Sequence, residues 1–322
     1  MRKRCPSEPF ALYAPCTLPD WDTKASVRTD HSPYALPADL EYQLGERHWF
    51  VPDFMPYLDH PDIVLAGPSV ARRLEANQLV YFLDYTTVLE HKLVNRAVET
   101  LVHNELSVPV PREMKNAALQ LYTDEGYHAL FSNQIAEQVA ELYSIDNRSR
   151  PARRIRRLLA RAKACSPADE ALGWFLIGFV SETIIAKELL SAVRLPLVST
   201  VLRMFKSHLA DEARHSRYFC DVFSHLWPLL DDDQRTHTAT QLLAILEIFF
   251  ESDTRWLKES LASVDLHTDT LEHITTRLQQ PQALQQRVRS GAKVTLQALF
   301  SAGFFNIAHN RRLFQNAGYI DA

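Results

Sequence analysis

At 322 residues, with 46% hydrophobic content and a net charge of −4, the chain has ample material for one large domain or two ordinary ones, and disorder is excluded. The charge balance gives no general case for nucleic acid as a partner. The longest uninterrupted apolar run, ALGWFLIGFV at 171–180, is far short of a membrane span, so a soluble protein without membrane attachment is expected.

The N-terminus, MRKRCPSEPFALYAPC, starts basic, but prolines interrupt the apolar stretch after the basic residues and it makes a poor signal peptide. Ten of the 17 prolines fall within the first 68 residues. With the aromatic residues of RHWFVPDFMPYL, they predict an irregular arm over residues 1–68, packed on a helical body through Trp49, Phe50, Phe54 and Tyr57. Cys5, Cys16, Cys165 and Cys220 show neither CxxC nor zinc-type spacing, which fits a reduced, cytoplasmic protein.

Residues 69–322 read as a single all-helical domain. Glycine is scarce, at 8 residues, and helical periodicity runs between the remaining prolines. Helices are predicted at 69–104, 111–144, 167–193, 197–227, 232–262 and 283–315. Ser166, Pro167 and Asp169 form a helix-start signal for the third. The stretch RSRPARRIRRLLARAK at 148–163 carries seven arginines and a lysine. It reads as a solvated linker or a basic helix face, or else as a docking patch for an acidic partner such as an electron donor or a carrier protein.

In the fourth helix the apolar stripe is interrupted by polar residues. At about 100° per residue, Glu212 lies ~40° from His208, and His215 ~20° the other way. Val201, Met204 and Phe205 precede the trio on that face, with Phe219 and Val222 after it, so the three should point inward. A buried carboxylate costs several kcal/mol unless it is paired or metal-bound. The second helix repeats the pattern: DEGYH at 124–128 matches DEARH at 211–215, placing Glu125 and His128 on one face. A bundle in which two helices give Glu plus His requires one inward Glu from each of two others. Glu90 and Glu182 meet that requirement, each with apolar neighbours on its side.

Four ionised glutamates balance two divalent cations, and mixed carboxylate and imidazole ligands suit iron or manganese. Asp124 and Asp211, each preceding a candidate ligand, are placed to accept the free imidazole N–H of a ligand histidine, or are ordinary surface acids. Tyr127 reads as a packed residue or a neighbour of the ligands. Gly126, unusual inside a helix, suggests room for a substrate or a crossing helix.

Diiron bundles mostly carry two ligand histidines, whereas His208 makes a third here. The set Glu90, Glu125, His128, Glu182, His208, Glu212 and His215 resembles that of the p-aminobenzoate N-oxygenase (AurF-like) family. The resemblance covers roughly residues 80–220 and shows no departure among the seven positions. It implies a ferritin-like four-helix bundle core, with extra C-terminal helices and the irregular arm around it. It also implies two iron ions cycling between Fe2+ and Fe3+, dioxygen as co-substrate and an external electron donor. The chemistry implied is a peroxo-diferric species that oxygenates a small-molecule amine towards hydroxylamine, nitroso and nitro products in a biosynthetic pathway. C–H hydroxylation or desaturation of a small-molecule or carrier-bound substrate is the alternative that these ligands cannot separate. Iron storage is disfavoured by the chain length and long arm. A homodimer is compatible with such a bundle, but no interface is legible.

Overall fold

A computed structural model describes residues 17–31, 33–146, 148 and 151–321. Its regular structure is helical, and the extended pairing among the described residues is a single bridge between His48 and Leu197. The arm contributes short helices: α1 (Trp21–Lys24), α2 (Ser26–Thr29), α3 (Leu40–Gln43) and α4 (Pro61–Ala66). Trp49, Phe50 and Tyr57 are buried against the body, whereas Phe54 stays exposed. Cys5 and Cys16 lie outside the described residues, and Cys165 and Cys220 are free thiols.

Four helical rods make the bundle. The first is α5 (Pro68–Val88), a π-helical turn (Leu89–Val94) and α6 (Asn95–Val102) run together; the others are α7 (Arg112–Tyr143), α9 (Glu170–Ala192) and α10 (Ser199–Leu226). Proline opens α5 where its missing N–H is harmless, and Pro111 precedes α7. Rod α5 packs on α7, α9 on α10, and α6 on both α7 and α9. The apolar core falls into two clusters. On α7 one cluster ends at Leu121 and the other starts at Phe131; on α10 one ends at Phe205 and the other starts at Tyr218. The polar residues of interest lie in those gaps.

The remaining helices are α8 (Arg153–Lys163), α11 (Asp232–Phe250), α12 (Thr254–Ala262), α13 (Thr268–Gln279), α14 (Pro281–Gly291), α15 (Lys293–Ser301) and α16 (Ala308–Asn316). The basic stretch takes the helical alternative: it contains α8, which buries Ile155, Leu158 and Ala162 at helical spacing. Two expectations change here. The helix expected at 232–262 breaks after Phe250, and Asp253 caps α12 through the Trp256 amide at 3.2 Å. The one expected at 283–315 is three helices. It is interrupted next to Gly291 and again at Gly303, whose φ of 76° is left-handed.

Two helical glycines differ in kind. A Cβ on Gly178 would lie 2.5 Å from Ala97 Cβ and 3.1 Å from the Phe219 ring, so glycine permits α9 to approach α6 and α10. Gly126 is exposed, with nothing within 4 Å of a Cβ, so it makes no room for a substrate or a helix. Gly126→Ala is therefore expected to raise stability by about 0.5–1 kcal/mol through helix propensity. Gly178→Ala should lower it by about 1–3 kcal/mol through overpacking. Thermal melts of the two variants check both signs.

Candidate metal centre

Each rod delivers its polar residues at the same depth. Glu90 sits in the π turn, Glu125 and His128 on α7, Glu182 on α9, and His208, Glu212 and His215 on α10. The π turn inserts an extra residue into the rod and re-aims its side chains, a device common at functional sites. All seven side chains are 0–1% exposed. The structure brings every one of them into a single cluster.

His208 Nε2 lies 2.9 Å from Glu90 Oε1 and 3.4 Å from Glu212 Oε1. His215 Nδ1 lies 2.8 Å from Glu125 Oε1, 3.2 Å from Glu212 Oε1 and 3.7 Å from Glu182 Oε2. His128 Nδ1 is 3.2 Å from Glu212 Oε1 and 3.7 Å from Glu125 Oε2. Despite this proximity, both oxygens of Glu90, Glu125 and Glu182, together with His128 Nδ1 and His208 Nε2, lack a partner in hydrogen-bond geometry. Buried polar atoms left so cost about 1–3 kcal/mol each, more when charged. Atoms that converge without bonding one another suit a common cation. Two overlapping groups can hold one: Glu90, His128, His208 and Glu212, and Glu125, His128, Glu212 and His215.

The other imidazole nitrogens are occupied crosswise. His128 Nε2 is 3.0 Å from Asp211 Oδ2, and His215 Nε2 is 3.0 Å from Asp124 Oδ2. Each aspartate neighbours the glutamate of its own DExxH motif but serves the histidine of the other. Such a bond fixes the tautomer, leaving Nδ1 of each ring to turn its lone pair towards the cluster. Both aspartates are fully buried, so neither is a surface acid. Tyr127 is half-buried, edge-on to Phe131 with centroids 5.4 Å apart. Phe131 gave no signal in the sequence, yet its ring packs on His128 at 5.3 Å and on His208 at 5.4 Å, walling one side of the cluster.

Without a cation the cluster holds protons. Burial pushes the Glu90 carboxyl up to about 7, with His208 opposing it. Burial also raises Glu182 well above the usual carboxylate range, reinforced by Glu212 and Glu125. For Glu212 burial acts upward too, but His215, His128 and His208 outweigh it and hold the group well below that range. Burial would depress His128 and His215; their carboxylate partners outweigh it and raise both well above the ordinary imidazole value. A metal needs these groups deprotonated and must displace their protons. Apparent metal affinity is thus expected to rise with pH through the about 7 of Glu90, with protons released on binding. Titration in weakly buffered solution measures both, and an affinity flat across that range would contradict the proton-holding cluster.

Four of the basic residues in the stretch are bonded internally. Arg148 pairs with Asp84 at 2.6 Å, Arg153 with Glu251 at 2.7 Å, Arg157 with Glu251, and Arg161 with Gln241 Oε1 at 2.6 Å. Arg150 lies outside the described residues. Arg154 differs: its guanidinium stacks over the Tyr85 ring, 4.7 Å from the centroid. Among the described residues, no carboxylate oxygen lies within 4 Å of it. Arg96, by contrast, is paired with Glu105 at 2.5 Å. No described helix is long and apolar enough to cross a membrane.

Residues 20–300 match the family model described as P-aminobenzoate N-oxygenase AurF. The chain is also similar to the 4-aminobenzoate N-oxygenase of Streptomyces thioluteus, being 24% identical over 227 residues that cover 67% of each chain.

Proposed function

The chain belongs to the p-aminobenzoate N-oxygenase AurF family, and from that premise we propose that it oxygenates the nitrogen of a small-molecule amine at a diiron centre, using dioxygen and an external electron donor. The observation that carries this reading is the convergence of buried Glu and His atoms lacking hydrogen-bond partners. Glu90, Glu125, His128, Glu182, His208, Glu212 and His215 would hold the two ions, four carboxylates balancing two divalent charges. When bound, iron supplies the reductive activation of dioxygen.

The protein's own residues set the conditions. Asp124 and Asp211 accept the N–H of His215 and His128 and orient the rings. Phe131, packed on His128 and His208, walls one side of the cluster against water. Arg154 would orient the substrate. Tyr85, beneath its guanidinium, is five residues before Glu90, roughly 7–8 Å along the rod. An amine carrying a carboxylate at its far end would place that carboxylate on Arg154 and its nitrogen towards the glutamates.

Ferrous-loaded, anaerobic protein mixed rapidly with dioxygen and then p-aminobenzoate tests the reading. The expected product carries new oxygen on nitrogen, read by mass spectrometry. Oxygen on carbon, or loss of two hydrogens, would replace N-oxygenation with C–H chemistry. No dioxygen consumption by an iron-loaded chain would refute the oxygenase reading.

A further inference from the structure

Asp124 and Asp211 orient the histidines, and both are held in turn by the N-terminal segment. Trp21 Nε1–H donates to both oxygens of Asp124, at 3.0 Å each. The backbone N–H of Ser26 donates to Asp211, at 3.1 Å to Oδ2 and 3.3 Å to Oδ1. Two relays result, Trp21–Asp124–His215 and Ser26–Asp211–His128. They start from adjacent turns of one strap, whose α2 packs on both α7 and α10. We propose that the strap of residues 21–26 is a positioning element of the metal centre, holding the two aspartates that set its imidazoles. This rests on reading the cluster as a metal site.

The chemistry of the strap is specific to that role. Asp124 and Asp211 are fully buried, and a buried carboxylate with a single bond can turn away from its imidazole. A second donor on the same carboxylate fixes its plane. Ser26 acts through its amide, because its own hydroxyl is buried with no partner. Ala25, extended at φ −64° and ψ 138°, presents that amide as the first of α2. Trp21 stands in an otherwise polar turn, WDTK, where its indole is half-buried. Arg214 also contacts Asp211, so the Ser26 relay has a second support that, among the described residues, the Trp21 relay lacks.

The test is cobalt(II) titration of the metal-free full chain, followed by visible absorption in competition with a chelator. Trp21→Phe keeps an aromatic ring and removes the donor. Ser26→Pro removes the amide hydrogen along with the hydroxyl, at a first helical position where proline is favoured and after a residue already extended. Ser26→Ala keeps that hydrogen. Loss of such outer partners typically costs 10- to 100-fold in metal affinity. That loss is expected for Trp21→Phe, a smaller one for Ser26→Pro, and wild-type affinity for Ser26→Ala, with metal-free melting temperatures within a few degrees of one another. Wild-type affinity in both Trp21→Phe and Ser26→Pro overturns the proposal while leaving the metal reading intact. Damage by Ser26→Ala equal to that by Ser26→Pro also overturns it, since packing would then explain both. A wild-type chain that binds no cobalt overturns the metal reading and this proposal together.

Discussion

Glu212→Ala is expected to empty the proposed diiron centre and to abolish turnover. One oxygen of this carboxylate, Oε1, is 3.2 Å from His128 Nδ1, 3.4 Å from His208 Nε2 and 3.2 Å from His215 Nδ1, and it belongs to both groups able to hold a cation. It is also the carboxylate that its three histidines keep ionised against the cost of burial. Its removal leaves three buried imidazoles facing a gap. Breaking a buried charge pair from one side costs about 3–5 kcal/mol even in the metal-free chain. Metal content by elemental analysis is expected to fall from two ions per chain to none, together with the rise in melting temperature that a bound ligand produces. Retention of one tightly bound ion would show that Glu212 is not shared.

Arg154→Met should act on the substrate and leave the metals in place. The guanidinium rests on Tyr85 and, among the described residues, has no carboxylate oxygen within 4 Å. It differs in this from the paired arginines around it. Truncating one partner of a buried, hydrogen-bonded charge pair typically costs 2–5 kcal/mol, about 30-fold or more in kcat/KM. That loss is expected with p-aminobenzoate, at unchanged metal content, and not with an aniline lacking the carboxylate. An equal loss with both amines would assign Arg154 to the structure, as a longer-range counter-charge to Glu188.

The seven cluster residues were legible because two DExxH motifs at helical spacing interrupt apolar faces, and because charge and bundle geometry then require a lone inward glutamate on each of two further rods. The π turn, which packs against α7 and α9, was not legible, since nothing in LEHKLV differs from ordinary helix. Crosswise pairing of Asp124 with His215 was equally hidden, because it depends on the relative depth of two rods 91 residues apart in sequence. Trp21 lies in a proline-rich arm whose tertiary placement has no local signature. Other signals were present and masked. In α8, Ile155, Leu158 and Ala162 carry a helical period beneath the arginines. Leu271, Ile274 and Leu278 do the same beneath the polar residues of α13. Gly291 and Gly303 marked the breaks between α14, α15 and α16.

The crosswise aspartates bear on how the two repeats relate. Residue pairs that exchange partners, first with second and second with first, are the signature of a two-fold interface between identical bodies, and here that reciprocity is written within one chain. A fragment bearing only the first DExxH motif would hold Asp124 with no imidazole to receive and His128 with no acceptor. The smallest unit that can set either ring is the pair of halves together, so the internal likeness of the motifs does not make them separable modules.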